Sequence, residues 1–256
     1  MKSTNMTKFV IKENISSIRG FYLIFILIIG LLTFVSRTSD GNMNSSGLEF
    51  ASVVFLFITG LNAFKSNFYF SQAMNVSRGE FLKGLILATY PIALTMSVID
   101  VIINRVYNLF IPSPTMYDML YTAYRNQSHI WDWQSMERVW FQLNDIGTLA
   151  GTVLWQFSLY STAVMLGLFI TIIYYRSNKL MKVLISVSPI VILFFLRSLI
   201  SVLPIELWVQ VRALIDAAFG ITAMNEYMAV LTYLVLSILL ALLAYLLARR
   251  AEVKTD

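Results

Sequence analysis

The chain has 256 residues, of which 58% are hydrophobic and 13% charged, and its mean hydropathy is +0.72. A soluble domain carries roughly 25% charged residues, so this chain lacks the polar groups to cover its own surface and takes lipid as the solvent for most of it. Its 19 Lys and Arg against 14 Asp and Glu give a net charge of +5, but the basic residues sit in short clusters at the ends of apolar runs rather than along one polar face, which is a topology signal and argues against nucleic acid.

The first apolar run, Gly20 to Val35, is short for a span but usable with flanking residues in the interface. A cleaved signal peptide is the alternative; the long basic segment ahead of it and the absence of a small-residue cleavage site after Val35 favour a retained helix. Before it, Ile11, Ile15, Ile18 and Tyr22 recur at helical spacing with Lys8, Lys12 and Arg19 to one side, so residues 1–19 are expected to form a cytoplasmic interfacial helix on anionic headgroups. The second run, Phe50 to Phe64, follows a polar turn and makes a helical hairpin with the first. The third, Gly84 to Asn104, contains Pro91, a candidate kink, and Asp100 near its far end.

Residues 105–146 are polar and aromatic and form an expected external loop, with Pro112 and Pro114 marking irregular chain and Trp133, Met136, Trp140 and Leu143 at helical spacing. Trp131, Trp133 and Trp140, with Trp208 further on, read as a membrane-interface belt, because indole pairs an apolar body with a polar edge. The fourth run, Gly147 to Tyr175, is the longest and is followed by a basic turn, Arg176 to Lys182. The fifth, Val183 to Leu203, contains Pro189; residues 204–226 then make an external amphipathic segment through Leu207, Val211 and Leu214. The sixth, Tyr227 to Ala248, ends in Arg249 and Arg250, which suit both the helix dipole and a cytoplasmic anchor. The expected fold is therefore one all-α transmembrane domain over residues 1–256 with six spans.

Orientation follows from the basic residues, since short cytoplasmic loops retain Lys and Arg. With the N-terminus inside, every lysine and Arg19, Arg78, Arg176, Arg249 and Arg250 are internal; Arg37, Arg105, Arg125, Arg138 and Arg212 are external and Arg197 lies within a span. Both termini are thus expected in the cytoplasm. Asp100 and Arg197 are the charges placed within spans: they form either an external gate or charge pair, or two separate side chains reaching for the interface.

The internal connection between the second and third runs, residues 65–83, is neither a minimal turn nor lipid-facing. Ser77 is placed to cap a helix starting near Arg78, with Glu80 at its positive end, while Phe68, Phe70, Met74, Val76 and Phe81 offer apolar contacts to a docked partner. Within it, Asn75-Val76-Ser77-Arg78-Gly79-Glu80-Phe81, which with Met74 would make the ATPase-coupling site, resembles the Gly-Val-Ser-Arg-like turn, with acidic and aromatic residues after it, of permease subunits of type-2 ATP-binding-cassette (ABC) exporters, with Asn75 where the first Gly stands. The amphipathic N-terminal segment, the six-span layout and the external segment before the last span extend the resemblance over nearly the whole chain.

The resemblance implies a half-transporter in the cell membrane. Two permease subunits, a second copy of this chain or a homologous one, would form the export pathway, separate ABC ATPase subunits would dock beneath the 65–83 coupling loop, and ATP and Mg would bind on those partners. The chain carries no G-x-x-x-x-G-K-[ST] phosphate loop, so ATP hydrolysis is expected on another polypeptide. The family exports lipids, polymers, drugs and amphipathic peptides; the aromatic external segments favour a hydrophobic or amphipathic cargo such as a peptide toxin or antimicrobial. Other classes fit the same topology: a channel, or a non-transporting scaffold, immunity or sensor subunit. An intramembrane enzyme finds no visible apparatus. There is no cysteine, a lone His129, no H-E-x-x-H and no G-x-S-x-G, so no catalytic residue, metal ligand set or cofactor is expected on this chain.

Overall fold

Helix α1 runs from Ser3 to Thr38 without interruption. Sequence reading divided this stretch into an interfacial segment and a span, but no proline and no positive-φ residue lies between them, so the hydrogen-bond ladder carries through Arg19 and Gly20. The computed structural model describes residues 3–38, 46–122, 131–132, 137–138, 142–202 and 204–249. Helix α2 (Glu49–Asn62) turns through Ala63 and Phe64 into α3 (Lys65–Ala73). Helix α4 (Arg78–Tyr107) continues through Pro91, and a bend through Pro112 and Pro114 leads to the short α5 (Met116–Tyr121), closed at its start by a Thr115–Asp118 capping box.

Two-residue strands β1 (Trp131–Asp132) and β2 (Glu137–Arg138) pair antiparallel, Trp131 opposite Arg138. Of the residues at helical spacing in this loop, Trp133, Met136 and Trp140 lie outside the described residues and Leu143 lies in irregular chain. Asp145 then caps α6 (Ile146–Arg176), its carboxylate accepting from the Thr148 N–H at 3.0 Å. After α7 (Lys179–Val202), Pro204 starts α8 (Ile205–Phe219), Gly220 closes it in the left-handed region, and Asn225 caps α9 (Glu226–Ala248). Ser3–Thr38, Glu49–Ala73, Arg78–Tyr107, Ile146–Arg176 and Glu226–Ala248 are each long and apolar enough to cross a membrane, so the chain is a multi-pass, essentially all-helical membrane protein.

Helix α6 is the central post, packed by α2, α4 and α9. Its contact with α2 is set by two glycines. A Cβ on Gly60 would fall 2.2 Å from the Val164 carbonyl oxygen, and one on Gly167 the same distance from that of Phe57, so the two backbones approach to a separation only glycine permits. In lipid, where apolar surface supplies little drive for helix association, such close packing does much of the joining. Polar links supplement it: the Thr162 hydroxyl donates to the Tyr233 carbonyl at 2.8 Å, and the Tyr90 and Ser237 hydroxyls lie 3.2 Å apart. Helix α7 is largely peripheral to this bundle, and α8 joins it through its C-terminal end, where the Ala218 carbonyl accepts from the Thr232 hydroxyl and the Phe219 ring lies 5.3 Å from that of Tyr233. Ile190, Phe194 and Phe195 of α7 are exposed, and no residue of α8 between Ile205 and Phe219 is buried.

The connections sort to two ends. At one, the start of α1, the α2–α3–α4 elbow, the end of α6 and the end of α9 share a core of Met6, Val10, Phe64, Phe68, Phe81, Tyr175 and Ala248. At the other, α5 packs on α6 and α9 through Tyr117, Tyr121, Trp155 and Ala229.

Candidate functional site

The elbow is built from the inside out by aromatic rings. Phe64 stacks on Phe68 at a centroid distance of 5.1 Å, Phe68 meets Phe81 at 5.7 Å, and Tyr175 from the end of α6 closes edge-on against Phe64 at 5.3 Å. Edge-to-face and offset rings of this kind add specific geometry to a large apolar burial. On the outer side of α3, Phe70 stacks on Phe9 of α1 at 4.8 Å, so the N-terminal helix braces the elbow. Tighter bracing comes from Gly84, where a Cβ would meet that of Met6 at 2.7 Å, and from the Thr7 hydroxyl, which donates to the Gly84 carbonyl at 3.1 Å.

The turn between α3 and α4 follows from its sequence. Asn75 adopts φ 53°, a left-handed position that asparagine tolerates, and the Val76 N–H returns to the Ser71 carbonyl at 2.9 Å. Ser77 is extended and its hydroxyl accepts from the Glu80 N–H at 3.3 Å, so α4 begins at Arg78 as its sequence predicts. One expectation is corrected. Phe68, Val76 and Phe81 are buried within this chain and cannot touch a docked partner; of the apolar residues expected to do so, Phe70 and Met74 are exposed. Ser77 and Asn75 are also exposed, with Arg78, Gly79 and Glu80 half-buried beside them. The sequence does not separate the two groups, because periodicity alone does not tell which ring of this connection turns towards the bundle.

A second constellation lies between α1, α2, α4 and α6. Asp100 is buried, its Oδ1 accepting from the Tyr22 hydroxyl at 2.8 Å and its Oδ2 from the Tyr160 hydroxyl. Asp100 thus faces inward rather than the interface. Arg197, placed with it as a gate or pair, sits on α7 with its side chain outside the described residues. Glu49, at the first position of α2, is buried and its Oε1 accepts from the Met116 N–H of α5. Asn104, one turn beyond Asp100, donates to the Ser113 carbonyl at 2.9 Å, while Arg105 forms a two-pronged pair with Asp118 at 3.1 and 3.3 Å. Sequence reading missed Tyr22, Tyr160, Glu49, Asn104 and Gln156 as a group; the one available signal was Gln156, the sole amide side chain in the long α6 run, since polar groups within spans are costly unless used.

A third feature is a half-polar cleft of about 340 Å³ between α1 and the α2–α3 hinge, with Asn14, Thr59 and Asn62 beside Phe55 and Ile58. Of the expected belt, Trp208 is half-buried on α8, β1 contains the backbone of Trp131, and Trp133 and Trp140 lie outside the described residues. Among the described residues no group of three or more His, Cys, Asp or Glu is arranged to hold a metal ion. No family model, curated protein or solved structure matches the chain.

Proposed function

We propose that the chain is the transmembrane subunit of a type-2 ABC exporter in the cell membrane. Two permease copies, identical or homologous, form the pathway, and separate ATPase subunits that bind ATP and Mg drive it. The observation that carries this reading is the elbow: an exposed Phe70–Met74–Asn75–Ser77 face rigidly backed by the Phe64–Phe68–Phe81–Tyr175 cluster. A surface that only linked two spans would need no such foundation. A surface that receives force does, because a displacement applied to a loose loop dies in the loop.

The reading orients the elbow end to the cytoplasm and counts α7 as the sixth span. It is supported by charge: Lys8, Lys65, Arg78, Lys83, Arg176 and Lys179 belong to segments that start or end at that end, as the positive-inside rule requires. The cleft beside Asn62, apolar on one side and amide-lined on the other, favours a hydrophobic or amphipathic cargo. ATP-driven closure of the ATPases would press on the elbow and move α2, α4 and α6 together, shifting the permease between two packings.

Because the chain has no native cysteine, Ser77→Cys places a single thiol on the elbow. In intact cells it is expected to resist a membrane-impermeant maleimide and react after permeabilisation; reaction from outside overturns the assignment. Arg78→Ala and Glu80→Ala are expected to lower transport and transport-stimulated ATPase activity of the complex while insertion is unchanged. Full activity after the whole elbow surface is replaced would sink it.

A further inference from the structure

Glu49, Asp100, Asn104 and Gln156 meet Phe25 and Ile103 around a cavity of about 10 Å³, close to the space of one water molecule. Its polar lining is oxygen-rich and short of donors. Gln156 is 1% exposed and its Oε1 has no hydrogen-bond partner; Glu49 is 3% exposed and its Oε2 has none either. Asp100 uses one lone pair of each oxygen on Tyr22 and Tyr160, and an ionised carboxylate has roughly four acceptor sites, so it retains capacity. Asn104 turns its amide N–H to the Ser113 carbonyl and its Oδ1 already accepts from Asn108 at 3.0 Å.

Among the described residues, no Lys, Arg or His lines this space. Arg105, next in the chain to Asn104, has both terminal nitrogens on Asp118, and the groups presented from α1, α2, α6 and α5 are the Tyr22 hydroxyl, the Ser52 hydroxyl beside Asp100, the Tyr160 hydroxyl with Gln156, and the Met116 N–H. A water would give donors to the two orphaned oxygens, but where the carboxylates are ionised it leaves them without the counter-charge that a cation supplies. Carboxylate and amide oxygens without nitrogen or sulfur suit a hard cation, and the size admits one small one.

We infer that the cavity between α2, α4 and α6 is a binding site for a single sodium ion, held by Glu49 and Gln156 and balanced by Asp100. The occupant ties Glu49 of α2 to Gln156 of α6 across Asp100 of α4, so occupancy sets how firmly these helices close at this end. The inference is independent of the transport reading and holds for a channel or a scaffold alike.

The test is thermal unfolding of the purified full-length protein in detergent, at constant ionic strength, with sodium chloride exchanged against choline chloride, and separately in sodium-free buffer from mildly basic to mildly acidic. A saturable rise of roughly 5 °C or more in Tm with sodium supports the site; a rise on acidification alone reports protonation of Glu49 or Asp100 and, without a sodium response, overturns it. Gln156→Leu and Glu49→Gln are expected to abolish the sodium response, and Glu13→Gln, in the exposed cleft, to keep it. A wild-type Tm that is equal in sodium and choline means water or a proton only and overturns the inference, as does a sodium response that survives both cavity substitutions. The wild-type comparison decides even if a variant fails to fold.

Discussion

The two ends of the bundle are held by opposite chemistry. The elbow end is closed by rings and methyl groups around Phe68 and Phe81, with its turn polar groups met by Ser77, Gln72 and Ser71. The far end is closed by buried hydroxyls, amides and carboxylates around Asp100, with several oxygens, among them Glu49 Oε2 and Gln156 Oε1, left over. Apolar packing is insensitive to small ions and stays rigid, whereas a half-satisfied polar network responds to whatever small donor or cation enters it. One end is suited to carrying a load and the other to being adjusted.

The largest effect is expected from severing what both ends share. Gly60→Leu or Gly167→Leu drives a side chain into the facing backbone, and either alone is expected to abolish a monodisperse folded protein in size-exclusion chromatography; the double variant is no worse, because one contact is lost once. Next in size, Phe68→Ala or Phe81→Ala empties the elbow core at a cost of about 3–5 kcal/mol in reversible unfolding. At the other end, Tyr160→Phe leaves Asp100 Oδ2 without its donor and costs about 1–3 kcal/mol. A Tyr160 effect as large as that of Phe68 would erase the distinction between the ends. Ser77→Ala is worth about 1 kcal/mol, and Ser77→Asp restores it, since either side chain accepts from the Glu80 N–H.

The smallest effect is a pH dependence at Asp145. The hydroxyl and N–H of Thr148 hold this carboxylate below its ordinary range. A folded value lower than the unfolded one, near ~3.9, means the cap contributes above that pH and its contribution is lost as pH falls through the folded value. Amide exchange at the start of α6 is expected to accelerate over that acidic window in the wild type and to show no such step in Asp145→Asn.

Much of the architecture was legible because lipid simplifies the code. Apolar runs bounded by Lys, Arg, Ser or Asn became α4, α6, α7 and α9 within a few residues of their expected limits, and the Ser77 cap fixed the start of α4. What stayed hidden is which side of each helix turns inward. In a soluble protein the polar face marks the outside, but here Phe68 and Phe70 are equally at home in core, lipid or headgroup, and only packing decides that one is buried and the other exposed. The carboxylate network was hidden for a related reason: Tyr22, Glu49, Asp100 and Gln156 come from four helices, and no spacing along the chain records their meeting. The continuity of α1 was missed because a change from basic to oily composition marks a change of solvent, which a helix can cross without a break.

That continuity ties the two ends together. The hydroxyl that braces Gly84 belongs to Thr7 and the one that holds Asp100 belongs to Tyr22, fifteen residues apart on one rod, or about 22 Å along its axis. A rod without a joint cannot shorten. If the elbow shifts by an ångström along α1, the phenol must slide by the same amount past its carboxylate, so a displacement at the elbow is delivered as a changed grip at the remote acid without any signal passing through the intervening side chains.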